Sequence, residues 1–155
     1  HNNWHSCCCI AANKKVISGD AITEEQAAKI ATHILEDGLK CIKDHPITNE
    51  DILAFRNKQV PTGDNSACFT ACMFKASGMM DKEGKLSSAG FKAKAKDIFS
   101  EEKDLKNLDE YINTCIFVND EEVKDGEKGC DRAILAFKCL AENSAKVILT
   151  LCYVL

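Results

Sequence analysis

Hydrophobic positions recur three and four residues apart along most of the chain, the period of a helix with one buried face. The first such run carries Ala27, Ile30, Ala31, Ile34 and Leu35 as its stripe, with Cys41 near the far end. Thr23-Glu24-Glu25-Gln26 opens it as a capping box, in which Thr23 caps the helix and Gln26 reaches back. Gly38 is the point where this helix bends or breaks. After His45-Pro46, Thr48 caps a short helix through Ile52, Leu53 and Phe55, with Asn49, Glu50 and Asp51 at its electropositive start. Pro61-Thr62-Gly63-Asp64 reads as a turn.

The next segment organises the rest. In Cys68-Phe69-Thr70-Ala71-Cys72 the two cysteines stand four apart, so on a helix they share a face and staple it to two different neighbours. Asp64, Asn65 or Ser66 caps its start, Gly78 stops it, and Ala67, Phe69, Ala71, Met73, Phe74 and Ala76 suit burial. Asp81-Lys82-Glu83-Gly84 turns the chain into a fourth helix, opened by Ser87 or Ser88 and bearing Phe91 and Ala95. Leu105, Leu108, Ile112, Cys115 and Ile116 predict a fifth helix over 105–118. A charged loop over 119–129 leads to a sixth helix over roughly 130–142, with Ile134, Leu135, Phe137, Cys139 and Leu140. Residues 147–155 are almost wholly apolar. The expectation is an all-α single domain over 1–155: an N-terminal extension (1–22), a six-helix core (23–143) and an apolar C-terminal tail (144–155).

Composition narrows the class. Two prolines and few aromatic strand patterns favour helices, and 155 residues are enough to bury about two-thirds of the extended-chain surface. The net charge is −4 with scattered basic residues, so neither nucleic acid nor an anionic membrane is an expected partner. Ten cysteines imply an oxidising compartment and hence a secreted protein. No apolar run is long enough for a signal peptide or a transmembrane span, and the simplest expectation is a mature secreted chain whose leader has been removed.

Six cysteines, at 41, 68, 72, 115, 130 and 139, are separated by 26, 3, 42, 14 and 8 residues. This spacing resembles that of the six-cysteine insect odorant-binding proteins of the pheromone and general odorant type. Gly84 in Asp81-Lys82-Glu83-Gly84-Lys85-Leu86 and the segment Cys139-Leu140-Ala141-Glu142-Asn143 resemble the same family. Six cysteines alone allow fifteen pairings. The resemblance implies Cys41–Cys72, Cys68–Cys130 and Cys115–Cys139. It also implies a six-helix, disulfide-stapled fold around an apolar cavity, holding an odorant, pheromone or lipid-like molecule without cofactor or catalysis. Its partners would be that small hydrophobic ligand and a chemosensory receptor, with the chain a monomer or weak homodimer. Family pocket positions correspond here to Phe69, Met73 and Leu140. Leu86, Phe91, Ile112, Ile116 and Ile134 are further expected lining, and Leu151 and Tyr153 in the tail complete it. Thr70 and Tyr111 or Tyr153 are the polar groups available for selectivity.

Both ends depart from the family. Cys7, Cys8, Cys9 and Cys152 lie outside the six-cysteine core, and the economical pairing bonds Cys152 to one of the triplet. That bond would clasp the tail and limit how far acidification moves it. His1, His5 and the triplet offer zinc-type donors, but oxidising surroundings favour disulfides, so no metal is expected. A secreted phospholipase would need a His-Asp pair after paired cysteines, and Asp44-His45 has the opposite order. A plant-type lipid-transfer protein would need a Cys-x-Cys that is missing. There is no phosphate loop, zinc-protease motif or nucleophile elbow. The competing expectation is a secreted interaction protein, or a non-olfactory carrier, whose cavity is filled by its own tail.

Overall fold

A computed structural model describes residues 22–144. Cys7, Cys8, Cys9, Leu151, Cys152 and Tyr153, and with them the expected clasp and tail contacts, lie outside the described residues. Within them the elements are α1 (Glu24–Asp44), α2 (Asn49–Arg56), α3 (Ser66–Ala76), α4 (Ser88–Ala95), α5 (Glu102–Asn113) and α6 (Cys130–Glu142). Two 3₁₀ segments, Ile116–Asp120 and Gly126–Lys128, join α5 to α6. The described residues contain no strand, only an isolated antiparallel bridge between Met80 and Leu86.

The helix starts follow their local chemistry. At α1, the Gln26 main-chain N–H donates to the Thr23 hydroxyl at 3.0 Å and the Thr23 N–H donates to the Gln26 side chain at 2.9 Å. At α2, Thr48 and Asp51 form the same reciprocal pair. Asp51 does more than cap, because its other oxygen accepts from Gly63 N–H at 2.9 Å and ties α2 to the turn before α3. A Cβ at Gly63 would run into that carboxylate. The α3 helix stops where expected: Ser77 caps it and Gly78 follows at φ +79°, a conformation that side chains resist. Gly78 and Gly90 are in close approach, so a Cβ on either would meet the other's carbonyl oxygen. The Lys94 ammonium donates to the Ala76 carbonyl at 2.9 Å, satisfying an orphan at the end of α3.

The fifth helix differs from its expected extent. It begins earlier and ends at Asn113, and the chain then tightens into a 3₁₀ turn. Cys115 N–H bonds to the Ile112 carbonyl, and Val118 N–H to the Cys115 carbonyl. At three residues per turn, Val118 takes the inward place under Cys115. Ile116, expected to line an interior, is rotated outward and is 38% exposed. Asn119 locks this geometry by pairing with Leu86 in both directions: Leu86 N–H donates to its side-chain oxygen at 2.7 Å, and its amide donates to the Leu86 carbonyl at 3.0 Å.

Among the described residues three disulfides hold the shell: Cys41–Cys72, Cys68–Cys130 and Cys115–Cys139. These are the pairs that the resemblance implies. The α3 helix is stapled to α1 through Cys72 and to α6 through Cys68, and its most extensive packing is with α6. Each closure, over separations of 31, 62 and 24 residues, stabilises by about 3–5 kcal/mol in the chain-entropy model. The expected stripe of α1 is only half used. Ala27, Ile30 and Cys41 are buried, whereas Ala31 and Ile34 are exposed and Leu35 is 64% exposed. At about 100° per residue Ala31 and Leu35 fall on the flank beside the buried line, whereas Ile34 stands in line with Ala27 and Cys41 and is exposed all the same.

Candidate functional site

The expected lining residues divide among three places. Leu86, Ile112 and Leu140 converge in one buried cluster with Tyr111, Val118, Ala136 and the Cys115–Cys139 bridge. Phe91 is half-buried and packs both on this cluster and on a second one, built from Ile30, Ala95, Phe99, Leu105 and Leu108. Phe91 therefore joins these two clusters.

Phe69 is buried elsewhere. It lies against Phe55, with ring centroids 6.0 Å apart, and Phe55 meets Phe137 edge-on at 5.4 Å. These three rings join α2, α3 and α6. Met73 and Ile134 are half-buried, on α3 and α6 respectively. Ile116 stands outside, for the reason given by its 3₁₀ turn. Phe74, expected to be buried, and Met79 pack on the first cluster; Val118 and Ala136 belong to it and escaped the sequence reading. Ala136 and Leu140 stand one helical turn apart, a spacing that was available from the sequence.

The buried hydroxyls are engaged with the main chain. The Thr70 hydroxyl donates to the Ser66 carbonyl at 2.7 Å, and the Ser66 hydroxyl to Gly63 at 2.8 Å. The Tyr111 hydroxyl donates to the Leu140 carbonyl at 2.5 Å, near the last turn of α6. Burial pushes the Tyr111 phenol up to a pKa of about 12, so it is neutral at any physiological pH. Two selectivity candidates, Thr70 and Tyr111, thus have their protons committed and only lone pairs to spare.

A separate, open groove of about 380 Å³ lies beside the α3–α4 junction, lined by Lys75, Gly78, Met80, Asp81, Lys82 and Ser87 among others. None of the expected ligand residues lines it. Lys75 is anchored there by the Glu127 and Lys128 carbonyls, at 3.2 and 3.1 Å. Among the described residues, no group of three or more His, Cys, Asp or Glu side chains is placed to hold a metal ion. No helix among them is long and apolar enough to cross a membrane.

Among the described residues, six helices wrapped on an apolar interior, with one helix disulfide-bonded to two neighbours, define a protein of the insect odorant-binding fold. Residues 21–143 match the PBP/GOBP family, and the chain belongs to that family. Among solved structures, the odorant-binding protein OBP28a of Drosophila melanogaster is similar at 22% identity and a TM-score of 0.57. That match covers 78% of this chain and 97% of the fly protein, and at such identity it speaks for the fold. No curated protein sequence matches the chain.

Proposed function

We propose that the chain is a secreted, non-enzymatic carrier that takes a small hydrophobic molecule into its helical interior. The observation that carries this reading is the convergence of Leu86, Ile112 and Leu140 in one apolar cluster, inside a shell fixed by three disulfides. Membership of a family of binding proteins supports it. The lining comprises those three residues with Phe91, and Phe69, Met73 and Ile134 on the flanking helices. Leu151 and Tyr153 are further wall in this proposal, with Cys152 bonded to one of Cys7, Cys8 and Cys9. The cargo is an odorant, pheromone or lipid-like molecule, delivered outside the cell to a chemosensory receptor.

Displacement of a neutral fluorescent hydrophobic probe by alcohols, esters and fatty acids tests the reading. Burying about ten methylene equivalents gains about 8 kcal/mol. That corresponds to a Kd of about 1 μM before the costs of association. With association costs of about 4 kcal/mol or more set against that gain, half-displacement is expected between about 1 μM and about 1 mM for the best members of the panel. Failure of every member to displace the probe overturns the reading.

A further inference from the structure

The α6 helix carries one charged side chain into the interior. Arg132 is 6% exposed and shares its helix face with Ala136 and Leu140, four and eight residues on. Its Nη1 donates to the main-chain carbonyls of Val118 and Glu121, the latter at 3.1 Å. Val118 is itself part of the cluster that holds Leu86, Ile112 and Leu140. The acceptors that Nη1 reaches are neutral, and the buried Nε–H has no partner at all.

A buried cation with an unmatched donor is costly unless something completes it. The guanidinium plane is built for a carboxylate, which accepts two of its N–H groups side by side. Asp125 does not fill this role. One of its oxygens accepts from the N–H groups of Cys130 and Asp131, at 2.7 and 3.2 Å, and caps α6. Its other oxygen is buried and also lacks a partner. Two explanations compete for the unmatched guanidinium: a bound water at its Nε–H, or an anionic group that Arg132 receives from outside the chain.

We infer that Arg132 anchors the head of the cargo, and that the preferred ligand is a monoanionic amphiphile, a carboxylate on an alkyl chain. The alkyl chain lies in the apolar cluster and the carboxylate meets the free edge of the guanidinium. This rests on the carrier reading above and adds to it the chemical class of the ligand. Neutral alcohols and esters of the same length keep the apolar contacts and forgo the charged one.

The test uses dodecanoate, methyl dodecanoate and dodecanol as competitors of a neutral fluorescent probe at neutral pH. Hydrogen bonds to charged groups are worth more than neutral ones, and dodecanoate is expected to displace at roughly tenfold lower concentration than the other two. In Arg132→Met that preference is expected to vanish while methyl dodecanoate binds as before, and Arg132→Lys is expected to keep part of it. If Arg132→Met does not fold, the three-ligand comparison on the parent protein still decides. Equal displacement by acid and ester in the parent overturns the inference, leaves the carrier reading intact, and points to water at the Arg132 guanidinium. An equal loss of both ligands in folded Arg132→Met also overturns it. No displacement by any of the three removes the carrier reading and this inference together.

Discussion

Asp51 shows how one polar residue can organise a junction. Burial by itself raises its pKa, but the N–H groups of Thr48 and Gly63 and the Thr48 hydroxyl outweigh that and hold it below the ordinary 3.8. A depressed carboxylate contributes stability above its unfolded pKa and loses it as pH falls through the folded value. Asp51→Ala leaves two N–H groups without acceptors and is expected to cost about 1–3 kcal/mol in denaturant titrations at neutral pH. Below about pH 4 the parent should lose stability faster than the variant, because only the parent has this carboxylate to protonate. Tyr111 gives the opposite sign. Its folded pKa of about 12 exceeds the ordinary 10.0, so its contribution is complete below pH 10 and drains away as pH rises towards 12. Tyr111→Phe should be weaker by about 0.5–1.5 kcal/mol at neutral pH, having lost the bond to the Leu140 carbonyl. It should also lack this alkaline loss, which denaturant midpoints at pH 8 and pH 11 would reveal.

At the scale of elements, the two flanks of α1 behave as different surfaces. Ile30→Ala removes a side chain packed with Phe99 and Leu105 and is expected to cost about 2–4 kcal/mol. Leu35→Ala, on the open flank, is expected to change stability by less than about 1 kcal/mol. Thermal or chemical denaturation of the two variants checks the contrast. Starts and stops were legible in the sequence, because the capping box at Thr23 and the stop at Gly78 rest on local chemistry, whereas the disulfide pairs were legible only through the family resemblance of the cysteine spacing. The end of α5 was not. A helical period runs through Cys115 and Ile116, but the Leu86–Asn119 clamp comes from residues 33 apart and tightens the chain there instead. The candidate site was legible in part for the same reason. Ile112 follows a helix face and Leu86 a turn position, Leu140 was reached through the family resemblance, and the pairing of Phe69 with Phe55 is tertiary packing that no period reveals. Arg132 was legible as a face-mate of Ala136 and Leu140, but only burial shows that its charge points inward.

For the whole molecule, the shell and the interior have separate tasks. The disulfides connect α1 to α3, α3 to α6, and the 3₁₀ turn after α5 back to α6. Stability drawn from the cross-linked chain leaves the interior less constrained to be perfectly packed, which is what a carrier requires. The exposed flank of α1, with Leu35 and with Leu39 at 59% exposure, is a contrasting apolar surface among the described residues. The most direct measurement distinguishes the two by following the leucine and isoleucine methyl resonances during titration with dodecanoate. Saturable shifts at Leu86, Ile112 and Leu140, with Leu35 and Leu39 unmoved, are the predicted result. Shifts confined to Leu35 and Leu39, or none at any concentration below the ligand's solubility, would contradict a carrier that binds its cargo inside.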